Sequence, residues 1–177
     1  MITPILESKR IILRPLSVED AENIYNSWTS DPEVARFMLW DVHKSIDDTI
    51  AWLRFEVENI NSEHNFNWGF VLKETGELIG SGGIHYKEHL SCYELGYNIM
   101  KKYWGMGLTT EASKTILDFG INVLGQKKFF CRHANDNIGS QMVINKLGFK
   151  FYGDSNYASF SGEKQFQSKD YYLEIVK

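Results

Sequence analysis

Cysteine is nearly absent from this chain of 177 residues: only Cys92 and Cys131 occur, with no C-x-x-C pair. A disulfide framework is thereby excluded, and a reducing compartment is expected. Proline is scarce too. Its three copies, Pro4, Pro15 and Pro32, all fall early, and no Pro- or Ser-rich linker divides the rest. No apolar run approaches the ~18 residues of a membrane span. The opening M-I-T-P-I-L-E-S-K-R lacks a basic region followed by an apolar stretch and a small-residue cleavage site, so it does not read as a signal peptide. A cytoplasmic protein with no membrane association is expected. A basic excess is missing as well: 19 Lys and Arg stand against 23 Asp and Glu, a net charge of −4. A dedicated nucleic-acid binder needs a basic face, so that class is not expected.

What is present is an ordinary globular balance of 43% hydrophobic and 24% charged residues, with aromatics high at 14%. A chain of this size buries roughly 70% of its unfolded surface, enough for a core without metal or disulfides. Absence of repeats and linkers makes residues 1–177 a single domain.

Arg10 to Pro15 reads as a first strand stopped by proline. Ser17 looks like an N-cap, and Val18, Ala21, Ile24, Tyr25 and Trp28 follow at helical spacing. Asp31-Pro32-Glu33 starts a short second helix with proline at its permitted first position. Ser45 with Asp48 forms a capping-box pattern, and Ile46, Ile50, Leu53, Val57 and Ile60 continue as an amphipathic helix. Asn67–Lys73 and Leu78–Tyr86 flank a turn and read as an antiparallel hairpin, followed by a strand over Tyr93–Met100. Leu108 to Val123 is a long helical stripe with Gly125 as C-cap. Lys128–His133 is a strand, Asn137–Leu147 a helix closed by Gly148, and Phe149–Tyr152 and Tyr171–Val176 are final strands. The segment Asp154–Ser168 between them reads as a long polar loop over an acceptor. Antiparallel strands leading into a β-α-β crossover define an α/β (α+β) domain with a mixed sheet.

The sharpest feature is K-K-Y-W-G-M-G-L-T-T-E-A, Lys101 to Ala112, between a strand and the strongest helix. Gly105 and Gly107 permit a tight turn, and the free N–H groups of the helix start make an anion site suited to a phosphate or pyrophosphate. The G-K-[ST] of a Walker A loop and the third glycine of a Rossmann loop are both missing. Lys102 to Gly107 resembles the [QR]-x-x-G-x-[GA] loop of the GNAT N-acetyltransferases. Glu94-Leu95-Gly96-Tyr97 resembles the strand that precedes that loop. Asn137-x-x-Ser140 and Lys146-Leu147-Gly148-Phe149 resemble elements that follow it. R-I-I-L-R-P-L-S-V-E-D-A and D-P-E-V (Asp31–Val34) resemble the opening of the RimJ/RimL-like branch, around the ribosomal-protein N-terminal acetyltransferases. The likeness runs in order from Arg10 to Phe149.

The resemblance implies a GNAT fold: a mixed, mostly antiparallel sheet of about seven strands flanked by about four helices. It implies acetyl-CoA as co-substrate, no metal, and acetyl transfer to a primary amine, with the N-terminal α-amine of a protein as one acceptor. A small amine (polyamine, amino acid or antibiotic) is the alternative, and an acyl-CoA-binding module without catalysis is another. By the same resemblance the backbone of Tyr97, Asn98 and Ile99 pairs with the pantetheine arm. Lys102, Tyr103, Trp104, Gly105, Met106, Gly107, Leu108, Thr109 and Thr110 hold the pyrophosphate, with lysine where the family has Gln or Arg. Asn137, Ser140 and Lys146 complete the cofactor contacts. Glu94 is the expected base through water. Ser140 is the expected acid for the thiolate, because Ile144 stands where many members place a tyrosine. Phe37 and Trp40, with Glu94, are expected at the acceptor. Acids at Asp41, Asp47, Asp48, Glu56, Glu58 and Glu63 would attract a cationic acceptor or merely face solvent. A monomer or a homodimer fits equally.

Two further patterns are weaker. His85-x-x-Glu88-His89 matches a zinc-hydrolase spacing, but it begins at a strand end and not on a helix. Cys131 and His133 share a strand face, where a buried structural cysteine is the commoner outcome.

Overall fold

The computed structural model describes residues 1–176 of the chain. Eight strands form one sheet in the order β1-β2-β3-β4-β5-β6-β8-β7. They are β1 (Leu6–Glu7), β2 (Ile11–Arg14), β3 (Asn65–Leu72), β4 (Leu78–Lys87), β5 (Cys92–Ile99), β6 (Lys128–Ala134), β7 (Lys150–Ala158) and β8 (Gln165–Glu174). Every neighbouring pair is antiparallel except β5 and β6. The helices are α1 (Ala21–Ile24), α2 (Pro32–Ala35), α3 (Ile46–Glu58), α4 (Leu108–Asn122) and α5 (Ile138–Lys146). The expected mixed sheet is present, with eight strands in place of about seven and five helices in place of about four. The added strand is the two-residue β1, and the one-turn α2 is the short helix expected from Asp31-Pro32-Glu33.

Local chemistry sets the helix ends. Ser45 and Asp48 form a capping box at α3, and the Asp31 side chain accepts from the Glu33 N–H at 2.8 Å to start α2. α1 runs on into a wider π turn over Tyr25–Thr29, with Trp28 buried in it.

The two faces of the sheet differ. On one face Phe66, Trp68, Phe70, Ile84, Leu95 and Phe129 pack with Ile116 and Phe119 of α4 and Ile144 of α5. On the other, Leu16, Val71 and Leu78 pack under Ile24, Trp28, Val34 and Leu53 of α1–α3. A bulge at Phe70/Val71 switches the alternation, so Leu78 faces the same side as Ser81, Gly83 and His85. That second face therefore changes from apolar to polar halfway along, and the polar half is left open.

Two expectations are corrected. Asp154–Ser168 is not a loop: β7 and β8 pair over it as a hairpin, register Asp154↔Lys169 to Ala158↔Gln165, and only residues 159–164 turn. Its burial does alternate, with Ser155, Tyr157, Phe166 and Ser168 turned inward and Asp154, Asn156, Gln165 and Gln167 outward, but two of the four inward residues are serines, so no apolar alternation marks the strands. The final strand also begins earlier and ends earlier than Tyr171–Val176.

Candidate active site

β5 and β6 pair only at Tyr93↔Phe129 and Glu94↔Phe130. Beyond that point they splay, leaving Leu95–Ile99 of β5 paired with β4 alone. The gap opens a continuous cleft of about 1340 Å³, lined on one side by Asn137, Ser140 and Val143 of the α5 region and on the other by α3 and the loop after α2. Its half beside the glycine loop and α5, which suits a cofactor, and its half beside α3 and the loop after α2, which suits an acceptor, thus lie on opposite faces of the sheet and meet at the splay.

The cofactor half is made mainly of backbone. Gly105 and Gly107 both have φ +74°, a conformation costly for side chains with a Cβ, and Gly107 is the N-cap of α4. The N–H groups of Leu108, Thr109 and Thr110 follow, without intrahelical partners. Leu108 is buried under the loop, whereas Trp104 and Met106 are largely exposed. The Trp104 indole N–H donates to the Ile99 carbonyl at 2.9 Å, tying the loop to the end of β5. These features fit a pantetheine arm beside the free strand and a pyrophosphate at the helix start. Gly96 adds open space on the strand, since a Cβ there would meet nothing within 4 Å.

Lysine charge does not point into this loop. Lys102 donates to Glu77 Oε1 at 2.8 Å and stands 4.9 Å over the Tyr103 ring, while the Tyr103 hydroxyl donates to Glu77 Oε2. Lys101 pairs with Glu33. Arg10, which sequence reasoning missed, fills the space instead. Its guanidinium donates to the Met106 carbonyl at 3.1 Å and to Glu111 Oε2 at 2.7 Å. Glu111 also receives the Arg10 N–H and the Ser8 hydroxyl. Burial alone would raise the Glu111 pKa, but these donors hold it below the ordinary value. Nothing in the R-I-I-L-R-P spacing signals this buttress. Lys146 lies at the far end of α5, exposed and away from the cleft wall.

Asn137 caps α5: its side-chain oxygen accepts from the Ser140 N–H at 3.1 Å, leaving its amide N–H groups available to a ligand. The Ser140 hydroxyl lies 2.8 Å from the Tyr97 hydroxyl. Burial, then the neighbouring Cys131, push the Tyr97 phenol well above its usual range, with Ser140 pulling against them. Position 144 carries isoleucine in place of a tyrosine, and the family resemblance implies only a backbone role for Tyr97. The fold brings the Tyr97 phenol from β5 to Ser140.

Glu94 sits at the splay. Its carboxylate is 3.2 Å from Lys87 Nζ and 3.7 Å from Arg132 Nε, and Arg132 Nε is equally 3.7 Å from Asp170 Oδ1. The two longer pairs exceed hydrogen-bond length. Cys131 and His133 turn to the opposite face. The thiol is buried against the Leu95 carbonyl and its pKa is pushed far up by desolvation, while His133 is held by Ala134 O and the Tyr171 hydroxyl. A buried, protonated thiol is inert as a nucleophile. His85 is held by Asn65 at 3.2 Å, and burial lowers its pKa.

The acceptor half is made of side chains from distant elements. Phe37 stacks edge-on against Phe166 at 6.0 Å, and its carbonyl accepts from the Tyr157 hydroxyl at 2.7 Å. Trp40 packs on His43. The Lys164 ammonium donates to the carbonyls of Ala35 (2.9 Å), Met38 (3.0 Å) and Trp40 (2.8 Å), and the Phe160 N–H donates to Leu39 O at 2.7 Å. The tip of the β7–β8 hairpin thus straps the wall that carries Phe37 and Trp40. Of the acids, Asp48 serves the α3 cap, Asp41 pairs with Lys164, and Glu56 faces the cleft.

Such a splayed sheet with a glycine-rich helix start beside it defines an acetyltransferase class. Residues 10–150 match the family model described as Acetyltransferase (GNAT) domain. The chain belongs to that family and is an N-acetyltransferase enzyme; the family uses acetyl-CoA as co-substrate. It is 30% identical over 152 residues, 85% of each chain, to the uncharacterized N-acetyltransferase YoaA of Bacillus subtilis (strain 168). Solved structures share the fold. A GNAT-family acetyltransferase from Bacillus anthracis has a TM-score of 0.81 at 22% identity, covering 97% of this chain and 98% of that one. A ribosomal-protein-S5-alanine acetyltransferase from Vibrio fischeri has a TM-score of 0.81 at 17% identity, covering 97% and 96%.

Proposed function

We propose that this enzyme transfers acetyl from acetyl-CoA to the primary amine of a small molecule. The carrying observation is the splay of β5 from β6, which places a free strand edge, the Tyr97–Ser140 hydroxyl pair and Glu94 around one opening. The backbone of Tyr97–Ile99 holds the pantetheine arm and offers N–H donors to the carbonyl oxygen as charge develops there. The Gly105–Thr110 backbone holds the pyrophosphate, with Arg10 bracing the loop. Asn137 donates its free amide to the pantetheine. Glu94 takes the acceptor's proton through water, and Ser140, coupled to Tyr97, returns a proton to the departing thiolate. Holding both substrates at one opening lowers the barrier further.

A small acceptor is favoured because the acceptor half recognises by side chains. Among the described residues the sheet's free edges are β1, β7 and the splay itself, so the acceptor floor over β3 and β4 has no strand edge to pair with a peptide. The second reading is a protein N-terminal α-amine. It is supported by the RimJ/RimL-like opening and D-P-E-V, and by the acceptor named for the Vibrio fischeri neighbour. Release of CoA thiol, followed with acetyl-CoA over small amines and short peptides, tests both. Release with small amines alone supports the proposal; release with peptides alone replaces it with the second reading. Tight acetyl-CoA binding with no release from any acceptor would favour an acyl-CoA-binding module.

A further inference from the structure

We infer that Glu56 selects the acceptor, and that the acceptor is a small amine carrying a second cationic group, seated on Glu56 while the reacting nitrogen lies toward Glu94. This rests on the small-amine reading above and names the chemistry of that same site.

The registers of β3, β4 and β5 align Asn65–His85–Glu94, Asn67–Gly83–Gly96 and Ser81–Asn98 on the open face, while Gly69, opposite Ser81, is already covered by Leu16 and Leu78. This floor is polar or glycine throughout, whereas the neighbouring positions Phe66, Ile84 and Leu95 point into the opposite core. Such a floor solvates a polar ligand and gives little to an apolar one. Asn98 Oδ1 is buried there with no hydrogen-bond partner among the described residues, an acceptor left for a ligand's donor.

Glu56 hangs over the floor from α3. Its Oε1 accepts from the Trp52 indole N–H at 3.1 Å and its Oε2 from the Asn67 amide at 2.9 Å. Both donors are neutral, and the described residues include no ion pair to this carboxylate. Two of its roughly four lone-pair sites remain free. Glu94, by contrast, already has Lys87 and Arg132. His85 supplies no opposing charge, because burial favours its neutral form. Burial also raises the Glu56 pKa, partly offset by Asn67 and Trp52. A part-buried carboxylate without a counter-charge is unfavourable unless a ligand brings the cation. Trp28, Trp40 and Trp52 line the same space and suit the methylenes between two such groups. Asn67 and Glu94 stand two strands and one row apart, about 12 Å, so the acceptor lies extended across the rows.

The test compares n-butylamine with 1,4-diaminobutane, titrated by tryptophan fluorescence into CoA-loaded enzyme, with wild type and Glu56→Gln side by side. Wild type should bind the diamine at least about tenfold tighter, and Glu56→Gln should bring the two affinities within about twofold, the loss of one charge-assisted contact. CoA affinity reports that the variant's cleft is folded. Glu56→Asp keeps the charge one methylene further back, so it should retain a diamine preference and shift it toward 1,5-diaminopentane. Equal affinities in wild type, no binding of either amine, or a preference that persists in Glu56→Gln overturns the inference. The titration needs no turnover. Retained diamine preference with no CoA release from acetyl-CoA therefore counts against the transfer reading alone.

Discussion

The two halves of the cleft are built from different materials. The cofactor half uses backbone: a strand edge freed by splaying, two glycines at φ +74°, and the first N–H groups of α4. The acceptor half uses side chains from α3, the loop after α2, β3, β4 and the hairpin tip, with Lys164 tying the tip to the loop after α2. Backbone recognition fixes a constant cofactor and tolerates sequence change. Side-chain recognition lets the acceptor vary within one fold, since each element can be altered without moving the splay.

The largest effect should come where the halves meet. Tyr97→Phe and Ser140→Ala should each lower kcat by about 10²-fold or more. Their double variant should fall little further, because the hydroxyls act as one unit 2.8 Å apart. CoA affinity should hold. Wild-type turnover in either single variant removes the proton path and leaves the pair a packing contact.

Lys164→Met asks whether the acceptor half can be loosened alone. It leaves three carbonyls without their shared ammonium. Hydrogen bonds to a charged group contribute about 1.5–3 kcal/mol, so Tm should drop by several degrees. Acceptor KM should rise while the dissociation constant of CoA stays put. A parallel loss of CoA affinity would mean that the halves are one cooperative unit.

Gly107→Ala asks the converse. Its Cβ would find room, the nearest atom being Arg10 Nη2 at 3.6 Å, so the cost is conformational. Forcing a residue with a Cβ into the left-handed region costs about 1–2 kcal/mol. CoA affinity should fall accordingly, and acceptor binding to the CoA-loaded enzyme should not. Unchanged CoA affinity would show that the loop relaxes and that its geometry is not the recognition element.

The same contrast explains what could be read from the residues in order. Gly105, Gly107, the Asn137 cap and the Ser45–Asp48 box are local: each acts within three or four residues of itself, so spacing exposes it. The β7–β8 hairpin leaves no such mark, because serines share its inward face with Tyr157 and Phe166. Tyr97–Ser140 is separated by 43 positions, Glu56–Asn67 lies across a helix and a strand, and Lys164 reaches back more than 120 positions. No period in the chain encodes those meetings; sheet order does. Arg10 was invisible for the same reason, being brought to Glu111 by β2 and the turn before it.

The smallest effect is the most discriminating. Lys102 aligns with the family position that is usually Gln or Arg, and lysine beside a phosphate loop invites a direct charge contact. Its ammonium instead meets Glu77, its pKa raised first by that hydrogen bond, and both groups sit at the surface. Exposed pairs of this kind contribute little and are screened by salt. Lys102→Gln should therefore leave CoA affinity essentially unchanged at physiological ionic strength, and the unchanged affinity should persist when salt is lowered. Arg10→Gln should weaken CoA binding measurably under the same conditions, because it removes the brace on Met106 O and Glu111. If Lys102→Gln weakens binding and Arg10→Gln does not, the loop works by side-chain charge, and the cofactor half is built like the acceptor half after all.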